Sequence, residues 1–232
     1  AWNLIPKAER EAKSPAIDFT LMCLYDVQKR FGRWDAILAE PQPPAYLPLT
    51  TAYYHAHRAV AHAAKKDFFS AEKEYALFVA AKMKFPEDTP ETGVMNHRVL
   101  EVAQHFVRGE IALQKKNWET AIWHLKEAAL VEDQLRYAEP PYWLQPVRHA
   151  LGAVYMKAGR YSAAEKTYRE DLKIWKENGW SLSGLAQSLA KQGKKKEAAA
   201  VTLRLEKCWE NADHPLPTTS CKCIESLVEE KP

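Results

Sequence analysis

The sequence is poor in the features that mark several classes of protein. Only 8 of its 232 residues are Gly, and no window approaches the roughly 18 consecutive apolar residues of a membrane-spanning helix. The start Ala1-Trp2-Asn3 lacks the basic and apolar runs of an intact signal peptide. Lys and Arg number 33 against 30 Asp and Glu, a net charge of +3. This balance is too weak to indicate a nucleic acid or a membrane as partner.

Cysteine is also scarce. Four cysteines, at positions 23, 208, 221 and 223, do not form a disulfide framework in a chain long enough to build a core. Cys23 lies in an apolar stretch and is expected to be a small buried side chain. Cys208, His214, Cys221 and Cys223 offer soft metal ligands, but their spacing matches no common zinc pattern, so we commit to no metal site there.

The chain begins without Met, so we expect a mature form or a piece of a longer protein. The compartment stays open: the cytoplasm is favoured, and the periplasm is the alternative because we expect the N-terminus to be truncated. We expect no cofactor.

Apolar residues follow helical spacing throughout, as at Val99, Val102, Ala103 and Phe106. No Asn-Gly hairpin joins alternating runs, which argues against strands. The sequence therefore predicts an all-α fold.

A repeated pattern divides these helices into pairs. Its clearest unit, residues 145–178, contains Leu151-Gly152, Tyr155, Gly159, Tyr161, Ala164 and Tyr168. This unit resembles the 34-residue tetratricopeptide repeat, in which small residues at positions 8 and 20 let two antiparallel helices approach closely. The resemblance implies a right-handed α-solenoid of five repeats. They start near residues 18, 52, 102, 145 and 179.

The spacing of these starts defines the expected domain organisation. Residues 1–209 form one solenoid domain, in which 1–14 are the remnant of a preceding repeat's helix, and residues 210–232 are a tail. Pro-containing insertions separate repeats two and three, at 84–93, and repeats three and four, at 132–141. Trp2, Leu4 and Ile5 are expected to pack on the first repeat or on another polypeptide.

A narrower likeness spans most of the array. The segments Glu139-Pro140-Pro141-Tyr142-Trp143 and Asn178-Gly179-Trp180-Ser181-Leu182, with Arg33-Trp34-Asp35-Ala36 in the first repeat, are similar to the C-terminal half of a group of bacterial tetratricopeptide proteins. Members of that group carry a further helical-repeat half before this region. No reaction can be carried over from them.

The resemblance also implies which side chains line the concave groove, because positions 2, 5, 9, 12 and 13 of each repeat point into it. The predicted peptide-binding residues are Phe19, Met22, Lys29, Arg30, Tyr53, Phe106, Glu110, Gln114, His149, Met156, Lys157, Trp180, Gln187 and Lys191. Rings, thioethers and scattered cations suit a peptide anchored by apolar side chains. For Phe106 and Trp180, burial between repeats is an equal alternative. A chaperone-type carboxylate clamp is not expected, since Met22 and Asp26 stand where it needs Lys and Asn.

Nothing in the sequence indicates catalysis, because phosphate-binding loops and nucleophile motifs are missing. His55, His57 and His62 share one helix, but His55 and His62 are about 10 Å apart along it, too far for one ion. Three hypotheses remain. The first is a non-enzymatic scaffold that binds a peptide or protein segment in its groove. The second is a structural half that packs on its own missing N-terminal repeats. The third, weaker one is a copper- or zinc-dependent role through His or Cys.

Overall fold

The computed structural model describes residues 6, 8, 14–85, 96–215 and 217, without the side chains of 14–17, 19 and 20. Ten helices follow one another between residues 14 and 209, and no strand occurs among the described residues. They are α1 Ser14–Arg30, α2 Trp34–Ala39, α3 Pro48–Ala64, α4 Phe68–Lys82, α5 Asn96–Gln114, α6 Trp118–Glu132, α7 Val147–Lys157, α8 Tyr161–Ile174, α9 Gly179–Lys191 and α10 Lys195–Trp209. The all-α prediction is confirmed. The expected packing of Trp2, Leu4 and Ile5 lies outside the described residues.

Each short turn inside a helix pair contains one residue in the left-handed conformation. These residues are Gly32, Lys66, Lys116, Gly159 and Gly193, with φ between 59° and 76°. All five stand fourteen residues after a predicted repeat start. The same backbone turn therefore closes all five pairs, although Gly, which adopts it without strain, is present in only three.

Polar side chains fix where several helices begin. Asp67 accepts a hydrogen bond from the Ser70 amide and Asn117 one from the Thr120 amide, which satisfies helix donors that would otherwise lack partners. The start of α3 is capped from another helix, since the buried Asp18 carboxylate accepts from the amides of Leu49 and Thr50. This cap joins the first two pairs.

Close contact within and between pairs depends on small residues. Ala121 and Ala164 have no exposed surface, and Gly109 and Gly152 are buried as expected. A Cβ added at Gly152 or at Gly184 would collide with the Tyr168 ring, which lies between α7 and α9. Tyr168 thereby occupies the space that two glycines leave open.

The insertion before α7 interrupts the stacking. First helices pack on each other from α1 to α3 and from α3 to α5, but α5 and α7 make almost no direct contact. α7 begins at Val147, after Pro146, two residues after the predicted repeat start near 145. Trp143 from the insertion fills the gap, with its ring centre 5.3 Å from that of Phe106 and 6.0 Å from that of Tyr53.

Candidate functional site

Most of the predicted groove residues are buried in the structure. Eight of them are at most 8% exposed: Met22, Lys29, Tyr53, Phe106, Glu110, Gln114, His149 and Trp180. Arg30, Met156 and Gln187 are half-buried, Lys157 and Lys191 are exposed, and the side chain of Phe19 lies outside the described residues. The peptide-binding role of these residues stays a prediction, but the eight buried ones offer no surface to a partner in this conformation.

Aromatic rings and a carboxylate surround the buried ammonium group of Lys29. Its ammonium lies 4.4 Å from the centre of the Phe106 ring and 4.6 Å from that of Trp143, and it donates to Asp26 over 2.9 Å. Asp26 also contacts His57 Nε2 at 3.0 Å. Burial alone would raise the pKa of Asp26, but Lys29 and His57 bring it down to about 2. The buried cation is thus paired with one oxygen of the Asp26 carboxylate inside the fold.

Arg30 reaches from the first helix pair to side chains of the last two pairs. Its guanidinium lies 3.9 Å from the centre of the Trp180 ring and donates to His149 Nδ1 over 2.9 Å. Since Arg only donates, Nδ1 accepts and the proton of a neutral imidazole sits on Nε2, which lies 3.1 Å from Asp171. Burial lowers the pKa of His149, in agreement with a neutral ring.

Ser181, His149 and Asp171 meet in this network without forming a catalytic triad. Ser181 Oγ donates to Asp171 Oδ2 over 2.5 Å, and the same oxygen accepts from His149. In a triad the imidazole lies between the hydroxyl and the carboxylate, whereas here the carboxylate lies between the other two. Ser181 is also completely buried. We therefore assign these groups to holding α7, α8 and α9 together.

The segment after α10 folds back toward α9 and the residue that follows α1. His214 accepts a hydrogen bond through its carbonyl from Trp209 Nε1 over 2.6 Å, and its ring lies 5.4 Å from that of Phe31. The buried Pro217 accepts from Ser183 Oγ over 2.5 Å. This segment covers part of the face between the first and last pairs.

An open cleft of about 270 Å³ lies at the edge of the array, where the insertion meets the end of α8. Its lining residues are Glu132, Asp133, Leu135, Arg136, Tyr137, Ala138, Pro141, Tyr142, Trp143, Arg148, Ile174 and Trp175. Tyr137 is 86% exposed, Ile174 55% and Trp175 37%. Apolar surface of this kind, next to a concave pocket, is typical of binding sites.

Charged groups hold the wall of the cleft in place. Arg148 donates from its two terminal nitrogens to Asp133 over 2.7 and 2.6 Å. Glu132 accepts from the Val147 amide over 3.1 Å, and burial raises its pKa to about 8. These contacts join the end of α6 to the start of α7.

The three histidines of α3 and Cys208 make other contacts. His55 contacts Glu74 at 2.7 Å and His62 contacts Asp67 at 3.3 Å, while His57 is paired with Asp26. Cys208 donates to the Leu205 carbonyl, and Cys221 and Cys223 lie outside the described residues. In the described part of the chain no three His, Cys, Asp or Glu side chains are grouped to hold a metal ion, and no helix there could span a membrane.

No protein-family model, no curated protein and no solved structure matches the chain. The resemblance to tetratricopeptide repeats therefore stays a prediction.

Sequence reasoning missed Trp143 and the edge cleft. Trp143 and most of the cleft lining belong to the stretch around the insertion, between α6 and α7, which the repeat pattern assigns to a connecting loop. The adjacent rings Tyr142 and Trp143 after two prolines were the available signal.

Proposed function

We propose that this protein is a non-enzymatic scaffold of the tetratricopeptide-like solenoid type, and that it binds a segment of a partner polypeptide at the edge cleft. Five similar helix pairs, each closed by a left-handed residue at the same position, support the solenoid. The edge cleft is the observation that supports this location for the partner's binding site. It combines a concave volume with exposed rings, whereas most of the concave face is occupied by the chain itself.

The size and lining of the cleft suit the side chains of a peptide. A volume of about 270 Å³ lies slightly below the range of about 300–1,000 Å³ that drug-sized ligands occupy. Tyr137, Ile174 and Trp175 surround it, and Tyr and Trp are the residues most enriched among energetically dominant interface contacts. One large apolar side chain of the partner would enter the cleft, and its flanking backbone would lie on the insertion.

A peptide library displayed on phage tests this proposal. Peptides selected on the unaltered protein should bind at least about tenfold more weakly to Tyr137→Ala and to Trp175→Ala, because removal of a dominant contact costs more than about 1.4 kcal/mol. Phe69→Ala is the matched control, since Phe69 is an 83% exposed ring on α4, away from the cleft. Equal binding to all three variants would refute the cleft as the binding place.

The second candidate function is a structural one, in which this chain packs against a further repeat. Leu24, Val27 and Phe31 support it, since they are 38%, 44% and 39% exposed and follow one another on one side of the first helix and its end. A partner repeat there would protect these residues from solvent labelling, whereas a cleft-bound peptide would leave them accessible.

A further inference from the structure

Two histidines of the third helix pair face each other through the same ring nitrogen. His105 of α5 and His124 of α6 have their Nδ1 atoms 3.2 Å apart, with ring centres at 5.4 Å and ring planes at 50°. Both side chains are half-buried. The Trp123 ring lies beside them, its centre 4.6 Å from that of His124 and 5.8 Å from that of His105.

The surroundings favour neutral imidazoles. Burial lowers the pKa of both rings; each also experiences a nearby cation, Lys82 for His105 and Arg108 for His124. For His124 the pKa falls to about 4. Neutral imidazole is the form that ligates metals.

The distance between the two nitrogens is close to what a shared ion requires. Two ligands at about 2.0–2.1 Å from a tetrahedral zinc ion are about 3.4 Å apart, against 3.2 Å here. Imidazole is a preferred ligand of zinc, copper and nickel. A hydrogen bond between the rings explains the same distance when no ion is present.

Carboxylates accompany both histidines on their own helices. Glu101 precedes His105 by four residues and Glu127 follows His124 by three, so each pair lies on one helix face. Both glutamates act electrostatically on His105 and favour positive charge beside it. Lys82 and Arg108 act in the opposite direction on the two rings.

We propose that His105 and His124 together bind one divalent transition-metal ion of the zinc type, which joins α5 to α6. Two protein ligands leave further coordination positions, which water fills. The proposal is independent of the edge cleft and of any peptide partner.

Calorimetric titration of the metal-free protein with ZnCl₂ near neutral pH tests the site. His105→Gln and His124→Gln should each bind one ion fewer per chain than the unaltered protein. His62→Gln is the matched control, because His62 is a half-buried histidine of α3 beside Asp67, and it should retain the full number. If both variants bind as many ions as the unaltered protein with equal affinity, the proposal is wrong.

A second measurement avoids any effect of the substitutions on folding. In the unaltered protein, the ring-proton NMR signals of His105 and His124 should shift together and saturate as zinc is added. Zinc should also raise the melting temperature, since an ion that binds only the folded state stabilises it. Ring signals of His105 and His124 that do not respond to zinc would overturn the proposal even if the chain binds zinc elsewhere.

Discussion

The guanidinium of Arg30 and the indole of Trp180 are stacked 3.9 Å apart, although Arg30 ends the first helix and Trp180 belongs to the last helix pair. Stacking of this kind is strongest when the cation is removed from water, and burial lowers the pKa of Arg30 to about 9. The contact brings two ends of the array together across a face that the repeat pattern predicts to be open.

Replacement of Arg30 by Gln should destabilise the fold. The change removes the stacking on Trp180 and the hydrogen bond to His149, at an expected cost of about 1–3 kcal/mol in the free energy of unfolding. Urea denaturation would measure it. Arg33→Gln, three residues later and exposed, should change stability by less than about 0.5 kcal/mol. If Arg30→Gln were as stable as Arg33→Gln, Arg30 would not hold the first and last helix pairs together.

Gly152→Ala and Gly184→Ala should each destabilise the protein because the new methyl group would collide with the Tyr168 ring. Overpacking of a tight core typically costs about 1–3 kcal/mol. Thermal unfolding of the two variants would show it. The Tyr168→Leu change should make Gly184→Ala less harmful, so an additive double variant would argue against this contact.

Gly193→Ala should be destabilising for a different reason. A Cβ at Gly193 would meet no neighbouring atom, but the backbone φ of +76° is left-handed, and that conformation costs a residue with a Cβ about 1–2 kcal/mol. Gly193→Asn should cost less, since Asn tolerates this region better than Ala. The melting temperature of Gly193→Asn should therefore be higher than that of Gly193→Ala. A lower melting temperature for Gly193→Asn would disprove the role of backbone strain.

Glu110 should make stability fall as the pH rises. Burial raises its pKa to about 8, whereas an unfolded Glu titrates near about 4.3. Between these values the folded state keeps a proton that the unfolded state has lost. The contribution of Glu110 to the free energy of unfolding therefore falls by up to about 1.4 kcal/mol per pH unit, and it levels off above the folded pKa.

The Glu110→Gln variant isolates this contribution. Relative to the unaltered protein, it should lose less stability between pH 5 and pH 8, as measured by urea denaturation at a series of pH values. The exposed Glu206 provides the control, and Glu206→Gln should follow the unaltered protein. Parallel curves for Glu110→Gln and the unaltered protein would show that Glu110 is ionised in the fold.

The sequence predicts the helices well because their signals are local. Gly159 and Gly193 mark turns, Pro146 marks a helix start, and apolar spacing assigns the buried faces. The second helix of the last repeat also forms, from Lys195 to Trp209. Its Lys195 and Thr202 stand at positions where the repeat pattern expects aromatic residues.

The state of the concave face could not be predicted in the same way. Whether Phe106 faces a partner or Trp143 depends on where an insertion folds. Arg30 meets Trp180 across about 150 residues of chain. His105 and His124 come together across two helices at positions to which the repeat pattern assigns no ligand role. These are long-range relationships that spacing along the chain does not encode.

A linear repeat array has two free ends, and each end can unravel while the middle stays folded. In this chain the Arg30 side chain ties the first helix to α7 and α9, so the first repeat cannot detach without breaking contacts in the last two. Opening of one end therefore exposes surface at the other. The expected behaviour is a single cooperative transition, with backbone amides of α1 and α9 exchanging with solvent at similar rates.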